Sequence, residues 1–297
     1  MALAGAIVPY RLVQRALRRA HDRSRPRARK PHRLIPRQAA PRKPKRARTI
    51  FVSDVHLGAR GAKAHRLADF LRVHDCDTLY LVGDIIDGWR LQRSWYWHGS
   101  HDEVVDEILA KAKNGTRVVY LHGNHDIALS HYVKEHFTGV EVLEEAEHVT
   151  ADGRRLLVVH GDQFDAIGKY SRWIDRFGNL IYGPAMRVTD VFVAARNRLN
   201  LPDWSLEALK RRLKNRKYVA NYEKAVIRGT RKRKFDGVVC GHIHHAAMKK
   251  SSGFLYCNTG DWMDSCTALV EDETGVLSIV RWDRARTRTE SHARAAA

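Results

Sequence analysis

The stretch Asp236-Gly237-Val238-Val239-Cys240-Gly241-His242-Ile243-His244 decides how this chain is organised. Its apolar run predicts a strand buried on both faces, and two imidazoles, His242 and His244, follow where the strand ends. Residues i and i+2 of an extended segment point to the same side, so both rings can bind a common centre. Two histidines at this spacing are weak evidence alone, and their weight depends on what the other strands carry.

Four further apolar runs upstream end in the same way, with a residue that can bind a metal ion close behind the strand. They are 49–52 before Asp54 and His56, 78–82 before Asp84, 118–121 before Asn124, and 156–159 before His160. Helical patterns over 64–73 and 102–113 separate the first three strands. Alternating strands and helices predict an α/β fold, and sites in such folds form beyond the carboxyl ends of the strands.

Together these strand ends supply seven candidate metal ligands: Asp54, His56, Asp84, Asn124, His160, His242 and His244. One strand-end carboxylate often caps a helix, and one histidine is usually satisfied by a neighbour, but five such transitions in order argue against a purely structural role. The set lacks a thiolate and is too large for one tetrahedral zinc ion, so it favours two divalent ions such as Mn²⁺, Fe²⁺ or Zn²⁺. A shared carboxylate would hold them about 3.5–4 Å apart, a spacing suited to phosphoryl displacement.

This motif series resembles that of the calcineurin-like metallophosphoesterases over most of the folded chain. It reads DxH from Asp54, GDxxD from Gly83, GNHD from Gly123, HGD from His160 and GHxH from Gly241. The resemblance implies a four-layer α/β/β/α sandwich with a helical insertion. It also implies a metal-dependent hydrolase that acts on phosphate esters or anhydrides.

The resemblance assigns roles to the candidate residues by position. One metal ion would be held by Asp54, His56 and His244, the other by Asn124, His160 and His242, with Asp84 bridging both. His125 would protonate the leaving oxygen or stabilise charge on the transferring group, oriented by Asp126 or Asp87. Mn²⁺ is the expected metal, and Fe²⁺ or Zn²⁺ are the alternatives.

Within the superfamily, the chain resembles the UDP-2,3-diacylglucosamine hydrolases of lipid A synthesis. The similarity lies in the helical pattern over 166–233, placed between two of the motifs, and in the segment 256–262. It implies hydrolysis of the pyrophosphate to UMP and a lipid 1-phosphate. The chain departs from the pattern of these hydrolases at two points. The best-characterised members carry Arg at the position of His125, and they carry Phe-Glu at or next to the position of Ile86-Asp87.

In those enzymes a helical lid holds the acyl chains, and the corresponding insertion here is rich in large apolar residues. Its candidate lid residues, at spacings that place them on one helix face, are Trp173, Phe177, Leu180 and Ile181. Burial of the same face in a core is the alternative interpretation. The two interpretations predict opposite effects of a polar substitution on stability and on lipid selectivity.

The net charge of +20 is concentrated at the start of the chain, because residues 1–48 contain sixteen Lys or Arg and one acid, Asp22. We expect a disordered basic extension over 1–47, a metallophosphoesterase domain over 48–283 and a basic tail over 284–297. The first twenty residues suit contact with an anionic membrane, an organellar transit peptide or a plain unfolded extension. No apolar run reaches the roughly 18 residues of a membrane span, so a cytoplasmic location, peripheral on the inner face of the membrane, is expected.

Three other functions compete with the lipid pyrophosphatase. The same chemistry on a soluble phosphomonoester or phosphodiester would need no apolar groove. A nuclease or nucleic-acid-binding protein would use the basic extension, but that segment has few aromatics and the body has a net charge of about +5. A metal-free scaffold is opposed by the complete ligand set. The four cysteines show no CxxC spacing and are expected to be reduced, buried thiols.

Overall fold

The computed structural model describes residues 45–127, 136–137, 139–165 and 206–282, including all of their side chains except those of 136, 137 and 206–215. The chain divides into two compact units. One comprises 161–229, and the other comprises the parts of the chain on either side of it. Every strand described below belongs to the second of these units.

Seven strands form a mixed sheet. They are β1 (Lys45–Val52), β2 (His74–Val82), β3 (Arg117–Leu121), β4 (His136–Phe137), β5 (Val140–Leu143), β11 (Thr267–Glu271) and β12 (Leu277–Arg281). Their order is β12-β11-β1-β2-β3-β5-β4, in which β1, β2, β3 and β5 pair in parallel and the other neighbours pair antiparallel. The carboxyl ends of β1, β2 and β3 therefore share one edge of the sheet.

Five strands form a second sheet. They are β6 (Glu145–Val149), β7 (Arg155–Val159), β8 (Gly237–Cys240), β9 (Ala247–Ser251) and β10 (Phe254–Asn258). Their order is β6-β7-β8-β10-β9, with β7, β8 and β10 parallel and the two edge strands antiparallel. The carboxyl ends of β7 and β8, which precede His160 and the 241–244 motif, lie side by side.

Four α-helices lie in the described residues: α1 (Ala64–Val73), α2 (Gly88–Arg93), α3 (Gly99–Lys113) and α4 (Leu206–Lys232). The prediction of α1 is confirmed at both ends. Helix α3 begins three residues before its predicted start, because the His98 side chain accepts a hydrogen bond from the Ser100 N–H at 3.2 Å and so caps the helix. Strand β1 begins at Lys45, where its pairing with β2 starts, four residues before the predicted run over 49–52.

Successive residues of β1 face two different cores. Ile50 and Val52 lie in a cluster with Phe70 of α1, on the helix-covered side of the sheet. Phe51 points the other way, stacks on Tyr80 with ring centroids 5.0 Å apart, and belongs to a cluster that joins the two sheets. Burial on both faces explains why these strands read as continuous apolar runs, and it confirms the predicted α/β fold with two stacked sheets.

The structure also tests the predictions about the cysteines and about membrane-spanning segments. All four cysteines are buried and free, as their spacing predicted. Burial raises the pKa of Cys76 and of Cys257 to about 12, so both thiols stay protonated and unreactive. Among the described helices, none combines the length and the apolar character that a bilayer crossing requires.

Candidate functional site

The site is assembled where loops from the two sheets meet, and backbone hydrogen bonds lock those loops together. Within the first sheet, the Asp54 N–H donates to the Gly83 carbonyl at 3.1 Å. Within the second, the Gly241 N–H donates to the His160 carbonyl at 3.0 Å. The two sheets are joined by the His242 N–H, which donates to Oδ2 of Asp54 at 3.0 Å. The loops are therefore fixed relative to each other before any ligand binds.

Five of the predicted ligands have left-handed backbone conformations. Their φ angles are 52° at Asp54, 52° at His56, 53° at Asp84, 72° at His242 and 52° at His244. This conformation costs an L-residue about 1–2 kcal/mol. Such residues persist only where the surrounding structure enforces them, and they cluster at functional sites.

Each of the two aspartates uses one oxygen to hold the loops and turns the other towards the imidazoles of the site. In Asp54, Oδ2 accepts from the His242 N–H and from the Ser53 hydroxyl, while Oδ1 lies 3.4 Å from Nε2 of His244. In Asp84, Oδ1 accepts from the His125 N–H at 2.8 Å, while Oδ2 lies 3.4 Å from Nε2 of His160. One oxygen of each carboxylate is thus held still and the other faces imidazoles.

The imidazoles are oriented by their far nitrogens. His160 donates from Nδ1 to the Val82 carbonyl at 3.0 Å, which leaves Nε2 as the nitrogen with a lone pair in the neutral ring. His56 places Nδ1 3.4 Å from Oδ2 of Asp87, and its Nε2 lies 3.3 Å from Nε2 of His244. A ring nitrogen held in this way is typical of histidines that bind a metal ion.

Protonated imidazoles offset the negative charge of the buried carboxylates. Burial opposes ionisation of Asp84, but His160 and the neighbouring imidazoles hold the pKa of this carboxyl below its usual range. Burial likewise works against protonation of His160, yet the Asp84 carboxylate raises the pKa of His160 to about 10. The pKa of His56 is also raised, because Asp87, Asp84 and Asp54 outweigh its burial. The cavity is therefore an environment that stabilises positive charge.

The donor set fits divalent metal ions. Asp54, His56 and His244 offer ligand atoms within 4.8 Å of one another, and so do Asp54, Asp84 and His160. Among the candidate ligands, three buried atoms lack a hydrogen-bond partner in the part of the chain that the structure describes: Asp54 Oδ1, Asn124 Oδ1 and His160 Nε2. A buried polar atom without a partner costs about 1–3 kcal/mol, and coordination of a cation would remove that cost. The His242 ring completes the surroundings, with its centroid 5.3 Å from that of His160.

Two glycines of the predicted motifs allow the carboxylates to approach. A Cβ atom at Gly123 would collide with Oδ1 of Asp84, and one at Gly241 would collide with Oδ2 of Asp54 and the Ser53 hydroxyl. Any side chain at either position would displace a candidate ligand. The glycines of GNHD and GHxH are therefore required by close packing rather than by turn conformation.

Asp87, rather than Asp126, contacts the predicted proton donor. Oδ1 of Asp87 lies 3.2 Å from Nδ1 of His125. Asp126 is 3% exposed, and its carboxylate accepts from the Ile85 N–H at 2.9 Å, the Tyr120 hydroxyl at 2.6 Å and the Gly123 N–H. Its partners among the described residues do not include the His125 ring. Asp126 thus organises the loop from beneath.

The segment after β10 carried part of the resemblance but no predicted role, and the structure places it directly behind the site. The Asn258 amide donates to the Gly241 carbonyl at 2.7 Å, and the Trp262 N–H donates to the Asp54 carbonyl at 3.1 Å. The Thr259 hydroxyl lies 2.6 Å from that of Ser53, the residue that also bonds Asp54. The motif Asn258-Thr259-Gly260-Asp261-Trp262 was the available signal, and it marks support for the ligand loops. The candidate lid residues Trp173, Phe177, Leu180 and Ile181 lie outside the described residues.

Comparison with known proteins agrees with this geometry. The model of the family "Calcineurin-like phosphoesterase" matches residues 47–246. The chain belongs to the calcineurin-like phosphoesterases. It is a metal-dependent hydrolase of phosphoesters.

Curated relatives within this family carry the name UDP-2,3-diacylglucosamine hydrolase. The protein of Cellvibrio japonicus (strain Ueda107) is 25% identical over 268 residues, 79% of this chain and 99% of that protein. The protein of Aliivibrio fischeri (strain MJ11) is 31% identical over 124 residues, 38% of this chain and 47% of that protein. Among solved structures, the chain is similar to an archaeal phosphodiesterase, at 12% identity and a TM-score of 0.38 over 78% of this chain and 98% of that one.

Proposed function

We propose that this phosphoesterase binds two divalent metal ions and hydrolyses the pyrophosphate of UDP-2,3-diacylglucosamine to UMP and a lipid 1-phosphate. The observation that carries the proposal is the pair of ligand groups that share Asp54 and contain two buried atoms without hydrogen-bond partners among the described residues. The residues proposed as ligands are Asp54, His56, Asp84, Asn124, His160, His242 and His244. When bound, the ions would supply Lewis-acid stabilisation of charge on the phosphoryl oxygens and activate water.

The protein's own contribution is to hold a proton next to the leaving oxygen. His125 is 26% exposed, and its Nε2 lies 4.0 Å from Oδ2 of Asp84, so this nitrogen faces the site. Because Asp87 holds Nδ1, the opposite nitrogen of the protonated ring can donate to a leaving oxygen. The proposed metal is Mn²⁺, because carboxylate, amide and imidazole ligands together suit this ion. The same ligands also suit Fe²⁺ or Zn²⁺, which are the alternatives.

The substrate assignment is supported by the names of the relatives and is tested by a direct assay. Purified protein is stripped of metal, reloaded with Mn²⁺, and given UDP-2,3-diacylglucosamine, aryl phosphates and cyclic nucleotides. We expect UMP to be released from the lipid substrate with the highest kcat/KM, and elemental analysis to find two metal ions per chain. A higher kcat/KM for a small phosphomonoester or phosphodiester would reject the lipid substrate and keep the chemistry.

A soluble substrate is the alternative function, and His125 favours it. The resemblance to the lipid hydrolases implies Arg at this position, whereas a histidine that donates a proton suits an ester with a poor leaving group better than a pyrophosphate. The same assay separates the two functions, because the aryl phosphates have no acyl chains to bind.

Two basic regions support work at an anionic membrane surface. Residues 1–48 hold sixteen Lys or Arg. Helix α4 adds Arg216, Lys217, Lys224 and Arg228, all exposed, on a face away from the buried Tyr222 and Val226. Cations near an anionic leaflet contribute about 1 kcal/mol each before screening. Deletion of 1–44, which leaves β1 whole, should reduce sedimentation with phosphatidylglycerol vesicles at low salt and leave hydrolysis of a soluble substrate unchanged. Binding to nucleic acid instead of vesicles would assign the extension a different partner.

The lid proposal needs its own test. If Phe177 lines an acyl groove, Phe177→Ser should raise KM for the lipid substrate and leave the melting temperature unchanged. If it lies in a core, removal of the ring costs about 3–5 kcal/mol and lowers activity on every substrate alike. A variant with a lower melting temperature and unchanged lipid selectivity would reject the lid proposal.

A further inference from the structure

Three consecutive residues at the start of α2 contact His125, each at a different part of the residue. Asp87 holds the ring at Nδ1, and the Gly88 N–H donates to the His125 carbonyl at 3.0 Å. Trp89 packs its indole on the imidazole, with ring centroids 4.4 Å apart and planes inclined by 34°. One ring nitrogen, the backbone and one side of the ring are thus each held by a separate neighbour.

Helix α2 is itself fixed to the site, so these contacts come from a rigid support. The Asp87 N–H donates to the Leu57 carbonyl at 2.8 Å, and the Asp87 carboxylate caps the helix by accepting from the Arg90 N–H at 3.0 Å. Leu91 is 7% exposed and fills the space beside Gly58, where a Cβ atom would lie 2.7 Å from Cγ of Leu91. A short helix anchored at both its cap and its apolar residue can hold a side chain in place.

The His125 ring is bounded on two sides. His56 meets it edge-on, with centroids 4.6 Å apart and planes at 86°. Trp89 packs against the ring, with centroids 4.4 Å apart. Trp89 is itself 40% exposed, so burial of the indole does not explain its place on the surface. At this position the indole of Trp89 packs against the imidazole of His125.

We propose that Trp89 is a positioning residue that keeps the His125 ring aligned for protonation of the leaving oxygen. The inference rests on the function proposed for His125. As the bond from phosphorus to the leaving oxygen breaks, that oxygen takes the proton from Nε2 of His125. The oxygen of a water molecule forms the new bond to phosphorus and gives its proton to solvent, from which His125 is reprotonated. Loss of the indole frees the imidazole to rotate, and a misalignment of about 1 Å can cost 10²-fold in rate.

Kinetics on a leaving-group series test the proposal. The substrates are substituted phenyl phosphates and substituted phenyl esters of UMP, assayed with the Mn²⁺-loaded full chain. We expect Trp89→Ala to lower kcat about 10- to 100-fold for poor leaving groups, with little change for p-nitrophenol and in KM, because only a poor leaving group needs the proton. Trp89→Phe should restore most of the loss. The matched control is Trp95→Ala, since Trp95 is 43% exposed and packs against Trp97 with centroids 6.2 Å apart.

A second measurement does not depend on turnover. In protein labelled with ¹³C at histidine, the Cε1–H signal of His125 is identified by its absence from His125→Ala. The ring current of the indole should displace this signal in the wild type, and Trp89→Ala should shift and broaden it, while Trp95→Ala leaves it unchanged. An equal loss of kcat for every leaving group, or an unchanged His125 signal, overturns the proposal. A wild type that hydrolyses no phosphoester overturns the proposed function, and the His125 signal still decides the role of Trp89.

Discussion

Asp84 with His160 and Glu271 with His148 are both buried carboxylate–imidazole pairs, and they differ in their hydrogen bonding. The first pair is 2% and 1% exposed, and the second is 0% and 6% exposed. In the second, Glu271 accepts from the Arg48 guanidinium at 2.6 Å, the Ala151 N–H at 2.8 Å and the His148 ring at 2.7 Å. In the first, Nε2 of His160 has no hydrogen-bond partner among the described residues.

This difference separates a structural ion pair from a site that needs a ligand. Both pairs are buried, and the Glu271–His148 contact of 2.7 Å is shorter than the Asp84–His160 contact of 3.4 Å, so neither burial nor proximity identifies the functional pair. The satisfied hydrogen-bonding atoms distinguish the two pairs, because each buried atom left without a partner costs free energy. The predictions that follow use the Glu271 pair as the control for the Asp84 pair.

The largest effect is expected at Asp84. Asp84→Asn keeps the shape of the side chain and removes its charge, so at least one metal ion should be lost and turnover should fall to background. The measurements are elemental analysis and a phosphoesterase assay with Mn²⁺. Glu271→Gln, the matched change in the other pair, should keep its metal content and keep its activity within about twofold. Two ions per chain and normal turnover in Asp84→Asn would contradict the role of Asp84 as a metal ligand.

His125→Ala should have the next largest effect. Both metal ions should remain bound while kcat falls by about 10²–10⁴, the usual range for a lost acid or base. Steady-state kinetics together with metal analysis check this outcome. Loss of metal in the variant would move His125 into the ligand set, and an unchanged kcat would remove its proposed role.

Glu271→Gln should lower stability instead of activity. Removal of one partner from a buried ion pair costs about 3–5 kcal/mol, and we expect the lower end because Arg48 is partly exposed. Urea unfolding of metal-free wild type and variant at pH 7 gives the difference. An equal free energy of unfolding would show that this pair contributes nothing to the fold.

The same pair gives a pH dependence with a defined sign. Burial opposes ionisation of Glu271, but hydrogen bonds from His148, Thr49 and the Ala151 N–H lower the pKa of Glu271 from 4.5 to about 2. A carboxyl whose pKa is lower in the folded state stabilises the protein fully above its unfolded pKa and loses that contribution as the pH falls towards the folded value. The stability difference between wild type and Glu271→Gln should therefore shrink between pH 5 and pH 2.

Binding of Mn²⁺ should give the smallest effect. At a free concentration 100 times Kd, a ligand that binds only the folded state stabilises it by about 2.7 kcal/mol. Thermal unfolding with and without Mn²⁺ should show this shift in the wild type and in Glu271→Gln. Asp84→Asn should show a reduced shift or none. A full shift in Asp84→Asn would place the main metal site elsewhere.

The ligand-bearing strands could be predicted because their signal is local. Strands covered on both faces read as unbroken apolar runs, and the polar residue that ends each run marks the edge where the site forms. Strand β9 carries no such signal, since its sequence AMKKS is mostly exposed at a sheet edge. Helix α2 was also missed, because six residues that begin with glycine show too little periodicity.

Contacts between residues far apart in the sequence could not be predicted, because no local sequence pattern indicates them. His148 and Glu271 are 123 positions apart, and only the finished sheets bring them together. The choice between Asp87 and Asp126 as the partner of His125 was equally open in the sequence. It depends on which carboxylate the loop 122–126 buries beneath itself, and the structure buries Asp126 there.

The left-handed backbone at five candidate ligands has a consequence for attempts to improve this protein. At a positive φ, glycine is the residue that relieves the strain, so His244→Gly, at a candidate ligand whose side chain is 38% exposed, can make the metal-free chain more stable. Selection for thermal resistance alone would then favour the very substitutions that abolish hydrolysis. A screen for thermally stable variants must therefore also select for turnover in the same round, or it will yield a stable protein that no longer binds metal ions.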